Sequence, residues 1–180
     1  DVDGHVSHGG LTHPSRRYAR ERRRPWGRGR NNVIYNWGFR STNNGSRSKN
    51  KLFYNYYKPG PATNANPASE MVNQFFLWPT SENDNPDTYG KFYLEGNKIP
   101  GKTNIDANQW EGVRLENGLR TESNLDKLKN KDVNGTLVPF YIPEGLYSFT
   151  RSADAAFNFV LDNVGANLFR DLVDQRIVSE

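Results

Sequence analysis

The chain has no cysteine, a single methionine and only three histidines among its 180 residues. The first absence excludes disulfides and zinc–thiolate sites and leaves the redox compartment unreadable. It is neutral for secretion, since many extracellular proteins do without disulfides. His5, His8 and His13 share a stretch with no helix or strand periodicity to converge them, so they are read as no metal site. No apolar run approaches the roughly eighteen residues of a membrane span, and no charged-then-apolar leader is present. The chain opens on Asp1 and not on methionine, and reads as a mature or truncated piece. Hydrophobic residues are sparse at 34%, while aromatics reach 13% and asparagine is frequent, a composition that suits one domain with many turns and a ring-rich surface.

Charge of one sign is also missing from most of the chain. The net charge is +4, yet residues 1–30 hold eight arginines against Asp1, Asp3 and Glu21, an excess of +5, so the other 150 residues sum to −1. The basicity sits in Arg16, Arg17, Arg20, Arg22, Arg23, Arg24, Arg28 and Arg30, interleaved with Gly and Pro. This segment reads as a solvated arm, as a clamp for an anionic polymer or nucleic acid, or, given the abrupt change of composition at Arg30, as sequence foreign to the rest, such as a reading-frame shift would leave. No nucleic-acid-binding module accompanies it.

What is present is a recurring unit in which a short aromatic or apolar strand ends at asparagine and turns. Asn31 to Phe39 (NNVIYNWGF) and Phe53 to Thr63 (FYNYYKPGPAT) show it, with Asn36 and Asn55 nineteen residues apart, and Phe92 to Ile99 (FYLEGNKI) repeats it after a longer insert. Asparagine tolerates the left-handed backbone of a sharp bend. The units predict either the rungs of a solenoid, with Asn36 stacked on Asn55, or an antiparallel sandwich with hairpin turns.

The segments RNNVIYNWGF (Arg30 to Phe39), NYYKPGPAT (Asn55 to Thr63), YGKFYLEGN (Tyr89 to Asn97) and SADAAFNFVLDNVGANLFRDLVDQRIVSE (Ser152 to Glu180) resemble bacterial pectate lyases in order and spacing. The resemblance covers residues 30–180, is low over 64–88 and 112–150, and leaves 1–29 as an irregular Arg/Gly-rich segment. It implies an all-β fold, a partial right-handed parallel β-helix of few coils with packing helices at about 152–180. It also implies a secreted, monomeric enzyme that cleaves α-1,4-polygalacturonate by β-elimination to 4,5-unsaturated products, with neither a nucleic acid nor a membrane as partner.

The family's active-site stretch resembles Leu-x-His-x-x-x-Arg-x-Pro-Arg. Leu11, His13, Arg17 and Arg20 stand at those spacings, with Ala19 in place of the proline. The resemblance implies Arg17 as the catalytic base and Arg20 as the substrate clamp. A guanidinium is a base only under unusual circumstances, which alkaline conditions favour. Ca²⁺ is the implied cofactor, an oxygen-seeking cation whose carboxylate ligands are expected upstream of this chain; Asp1 and Asp3 are read as an exposed pair. The alternative reading is a catalytically incomplete fragment or a noncatalytic galacturonan-binding β-helix.

Remaining features are structural by default. Glu82, Asp84 and Asp87 lie in an Asn/Asp/Pro loop without the ligand spacing of an EF-hand. Trp37, Tyr54, Tyr56 and Tyr57 are expected to pack, whereas Trp78 and Trp110, in loops, are candidates for stacking on sugar. Leu115 to Lys131 reads as a polar surface excursion. After Ser152 as N-cap, Ala153, Ala156, Phe157, Val160, Leu161 and Val164 recur at helical spacing with Gly165 as the stop, and a second segment from Asp171 carries Val173 and Ile177 to pack beside it.

Overall fold

A computed structural model describes residues 26–43, 45–66, 73–115, 120–141, 151–163 and 169–179. In chain order its strands are β1 (Trp26–Arg30), β2 (Val33–Tyr35), β3 (Lys49–Phe53), β4 (Tyr56–Lys58) and β5 (Lys91–Glu95). Its helices are α1 (Pro61–Ala65), α2 (Thr103–Ala107), α3 (Glu122–Leu128), α4 (Ala153–Asn163) and α5 (Leu172–Ser179), with 3-10 turns at Pro86–Thr88 and Gln109–Gly112.

Among the described residues the strands β1 to β5 pair only in parallel, which rules out the antiparallel sandwich; Glu82 with Asn85 and Lys131 with Leu137 form single antiparallel bridges. One sheet has the order β1-β3-β5 and the other joins β2 to β4. Single parallel bridges from Tyr56 to Lys98, Asn43 to Trp78, Leu77 to Val113 and Phe92 to Lys129 extend the stack. Parallel neighbours need long connections, and the one between β3 and β5 includes α1 and a 3-10 turn. Pro61 sits at the first turn of α1, Pro86 opens a 3-10 turn behind Asn85, and Thr121 caps α3 by accepting from Asn124 N at 3.1 Å.

The expected all-β right-handed parallel β-helix is therefore corrected. The described residues form a mixed α/β fold, with strands of only three to five residues in two short parallel sheets and helices filling the intervals. Prolines that preset the helical φ and polar caps on the first-turn amides turned connecting segments into helices that a reading of strands and turns alone had left irregular. The Leu115 to Lys131 excursion is one case. It contains α3, whose Leu125 and Leu128 are buried.

Between the two sheets the chain turns at Asn31, Tyr54 and Gly96, which have φ of 51°, 56° and 60°. At the last of these a Cβ would fall 2.4 Å from the Tyr54 ring, so both the backbone and the space require glycine. Each left-handed residue is followed by an asparagine, and Asn32, Asn55 and Asn97 form an amide ladder. Asn32 N and Nδ2 donate to Asn55 Oδ1 at 3.1 and 2.9 Å, while Asn55 N and Nδ2 donate to Asn97 Oδ1 at 3.3 and 2.8 Å. Asn55 Nδ2 also donates to Gly29 O, and Asn97 Nδ2 to Leu52 O. Asn55 and Asn97 are buried and satisfied along the stack, while Asn32 ends it at an exposed position.

The expected partner of Asn55, Asn36, does something else. Its φ is 55°, and its Oδ1 accepts from Ala62 N at 2.7 Å and Thr63 N at 3.3 Å, capping α1 from another part of the chain. Inside the stack, Leu52, Tyr57, Phe76, Leu77, Phe92, Ile99, Ile105, Val113, Leu115, Leu125 and Leu128 make one core. Tyr57 stacks on Phe76 with centroids 5.3 Å apart and meets Trp37 edge-on.

Helix α4 lies against β2 and β4. Ser152 Oγ accepts from Ala155 N at 3.2 Å, Phe157 stacks on Tyr56 at 4.3 Å, and Asp154 pairs with Lys98 at 2.7 Å. Asn31 ties the helix start to the first corner through Arg151, donating to its carbonyl and accepting from its N–H. Gly165 lies outside the described residues. In α5, Leu172 and Val173 are exposed and not packed beside α4.

Candidate functional site

Period-2 alternation divides the residues of the three-stranded sheet between its two faces. Leu52, Phe92 and Leu94 face the core, which places Lys49, Lys51 and Phe53 of β3 with Lys91, Tyr93 and Glu95 of β5 on the outer face. The register sets Lys49 opposite Lys91, Lys51 opposite Tyr93, and Phe53 between Arg30 and Glu95. Four cations, Arg30, Lys49, Lys51 and Lys91, thus share a face with one carboxylate, Glu95.

Rings and cations alternate across this face. The Lys51 ammonium lies 4.5 Å from the Phe53 centroid and 5.2 Å from that of Tyr93, Arg30 lies 5.8 Å from Phe53, and Lys49 lies 5.6 Å from Phe140. The Tyr54 hydroxyl donates to Glu95, and that hydrogen bond, with burial second, pushes the phenol up to about 12. Burial, then the neighbouring Glu95, also raises Tyr93. Both phenols stay protonated well into alkaline solution and remain hydrogen-bond donors beside the lysines. Phe53 and Phe140 are themselves buried, at 5% and 7% exposure, and Tyr93 is half-buried, so what the face offers a polyanion is chiefly charge.

Beyond β5 the face continues into a depression of about 600 Å³ lined by Lys91, Glu122, Ser123, Asp126, Lys127 and Lys129. A second depression, of about 490 Å³, opens at the β1–β2 end of the stack among Gly29, Asn32, Ile34, Asn55 and Tyr57. A third, of about 430 Å³, lies under the start of α4 between Glu95, Lys98, Asp106 and Asp154.

Arg17 and Arg20 lie outside the described residues. Trp78 and Trp110, expected as sugar platforms, are buried, at 3% and 8% exposure, because the stack closes over them. The acidic loop is engaged in ion pairs: Glu82 meets Arg47 and Asp87 meets Lys127, each at 2.7 Å. Among the described residues no three His, Cys, Asp or Glu side chains come together to hold a metal ion. The outer-face lysines were missed in the sequence. Their signal was the spacing in KNKLF and KFYLE, which becomes a cationic face only once the two strands are known to be neighbours in register.

No protein-family profile matches the chain. The chain is similar to a probable pectate lyase C of Emericella nidulans, with 26% identity over 150 residues that cover 83% of this chain and 29% of that protein. The chain thus spans less than a third of the relative's length, and the relationship to a protein of that name is distant. No described helix is long and apolar enough to cross a membrane.

Proposed function

We propose that the chain is part of a secreted polysaccharide lyase of the pectate lyase kind, acting on α-1,4-linked polygalacturonate. The observation that carries this reading is the similarity to a probable pectate lyase over 83% of the chain, and the cationic outer face of the three-stranded sheet, with Tyr93 beside Lys51, supports it. A polymer of uronate rings presents one carboxylate per sugar and flat apolar patches, which lysines and aromatic side chains complement.

In the proposed reaction a base removes the proton on C5, the C4–O bond breaks, the electron pair becomes the C4–C5 double bond, and the leaving oxygen takes up a proton. Arg17 is the proposed base and Arg20 the proposed holder of the substrate carboxylate. Ca²⁺ belongs to the proposal as cofactor, where it would withdraw electron density from the substrate carboxylate. Since no cluster among the described residues fits it, its ligands would lie elsewhere.

The test is the rise in ultraviolet absorbance of the 4,5-unsaturated product when folded protein meets polygalacturonate at alkaline pH, with Ca²⁺ and then with a chelator. A rise lost on chelation is the expected result. A second reading, polymer binding without cleavage, is favoured by the fact that Arg30, Lys49, Lys51 and Lys91 share one sheet face. Retention of the protein by immobilised polygalacturonate with no absorbance change supports that reading against the first.

A further inference from the structure

The depression between β5 and α3 has features that folding alone does not explain. Lys91 is the first residue of β5 and lies across the sheet from Lys49, so the depression prolongs the cationic face. Its Nζ donates to the Lys127 carbonyl at 2.5 Å, and no carboxylate of the described residues lies within ion-pair distance of it. Two of the nearby carboxylates are committed to other lysines: Asp126 pairs with Lys129 at 3.6 Å and with Lys131, and Asp87 pairs with Lys127. Burial lowers the Lys91 pKa, Asp126 opposes that, and Lys131 adds to it, as expected for an ammonium without its own counter-ion.

The other wall is of opposite character. Glu122 and Ser123, on the first turn of α3, line the same space, and Lys129 stands at its side with its ammonium 5.6 Å from the Trp110 ring. A lone cation beside a carboxylate and a hydroxyl suits a ligand that brings both an anionic group and hydroxyl donors. A fully ionised oxyanion such as sulfate brings the charge but would face Glu122 with nothing to donate, and phosphate would bring a hydroxyl only on the charged centre itself.

We propose that this depression is a subsite for one acidic sugar residue, its carboxylate on Lys91 and its ring hydroxyls donating to Glu122 and accepting from Ser123. The assignment rests on the polyuronate reading above and deepens it. It sets the direction of the polymer across the sheet, from Lys49 and Lys51 on β3 toward Lys91 and then α3. Asp126 holds Lys129 and Lys131, which keeps their charges from spreading along the rim and leaves Lys91 as the anchor.

The test is residue-resolved acetylation of lysines in the full chain, read by mass spectrometry, alone and with oligogalacturonate, with its carboxyl-reduced neutral counterpart, or with inorganic phosphate. The expected result is protection of both Lys51 and Lys91 by oligogalacturonate and of neither by the reduced sugar, with Lys91 less protected by phosphate. Lys91→Gln, at an exposed position, is expected to keep the circular dichroism of the parent and to weaken oligogalacturonate binding about three- to tenfold. Protection of Lys51 without Lys91, or unchanged affinity in Lys91→Gln, overturns the subsite and leaves the polyuronate reading standing. Protection of neither lysine by oligogalacturonate sinks both. Equal protection of Lys91 by phosphate and by oligogalacturonate overturns the sugar assignment in favour of a plain cationic patch.

Discussion

Gln109 closes the amide ladder at Asn97. Its Oε1 accepts from Asn97 N at 2.8 Å and from Asn97 Nδ2 at 3.1 Å, and its Nε2 donates to Asn97 O at 3.0 Å and Ile105 O at 2.9 Å. Gln109 therefore stands where a further asparagine would stand, and its longer side chain also ties the ladder to α2. Asn97 is buried at 1% exposure, and although its Nδ2 also reaches Leu52 O, its backbone N–H takes its acceptor from this side chain.

Replacing Gln109 by Ala removes that acceptor and leaves buried N–H groups unpaired. The expected loss is about 1–3 kcal/mol of unfolding free energy, measured by urea denaturation. An unchanged midpoint would mean that water reaches Asn97 and that the ladder needs no closing residue.

Gly90 packs against the backbone of the turn at residues 45–48. A Cβ there would lie 1.9 Å from the Gly45 carbonyl oxygen and 2.8 Å from that of Ser48, and Ser48 O already accepts from Lys91 N. Backbone cannot swing aside as a side chain can. Gly90→Ala is expected to cost about 3 kcal/mol, the upper end for overpacking, and to lower the melting temperature visibly in calorimetry.

Tyr54 sets an alkaline limit on stability. Its phenol is held at about 12 in the folded chain against an ordinary value of 10.0. Below pH 10 the phenol is protonated in both states and the Glu95 hydrogen bond contributes fully. Between 10 and 12 the unfolded chain releases this proton while the folded chain keeps it, so stability falls as pH rises. Tyr54→Phe is expected to flatten that fall in urea midpoints taken across the window. Part of the slope will remain, because burial also holds Tyr57 at about 12. An identical slope in the variant would show that the hydrogen bond to Glu95 does not survive in solution.

Arg17→Ala is expected to abolish formation of the unsaturated uronate and to leave the circular dichroism unchanged. Turnover at the parent rate would remove Arg17 from the reaction, and retention on immobilised polymer would still report on the sheet face.

Much of the stack was legible because its signals are local. The strand-then-asparagine unit marked the corners at Asn55 and Asn97, and Ser152 before a 3.6-residue pattern marked α4. The pairing was not legible in the same way. Asn36 and Asn32 lie four residues apart in similar surroundings, and only the register of β1 with β3 decides that Asn32 meets Asn55 while Asn36 turns to cap α1. The all-β expectation failed for a related reason: α1 and α3 are five and seven residues long, too short for apolar periodicity to declare them, and they depend on Pro61 and Thr121. Trp78 and Trp110 were misjudged because a loop in sequence is not a loop on the surface once parallel bridges draw Trp78 to Asn43. The lysine face emerges only from adjacency, which no single strand contains.

The left-handed corners at Asn31, Tyr54 and Gly96 separate what is fixed in this chain from what is free. Asn32 and Asn55 are 23 residues apart and Asn55 and Asn97 are 42 apart, yet both steps enter the same corner and the same ladder. The extra nineteen residues fall between β4 and β5. Each corner is thus a fixed clamp, while the length of chain between one corner and the next varies. A one-residue insertion at a corner would carry the following asparagine out of the ladder.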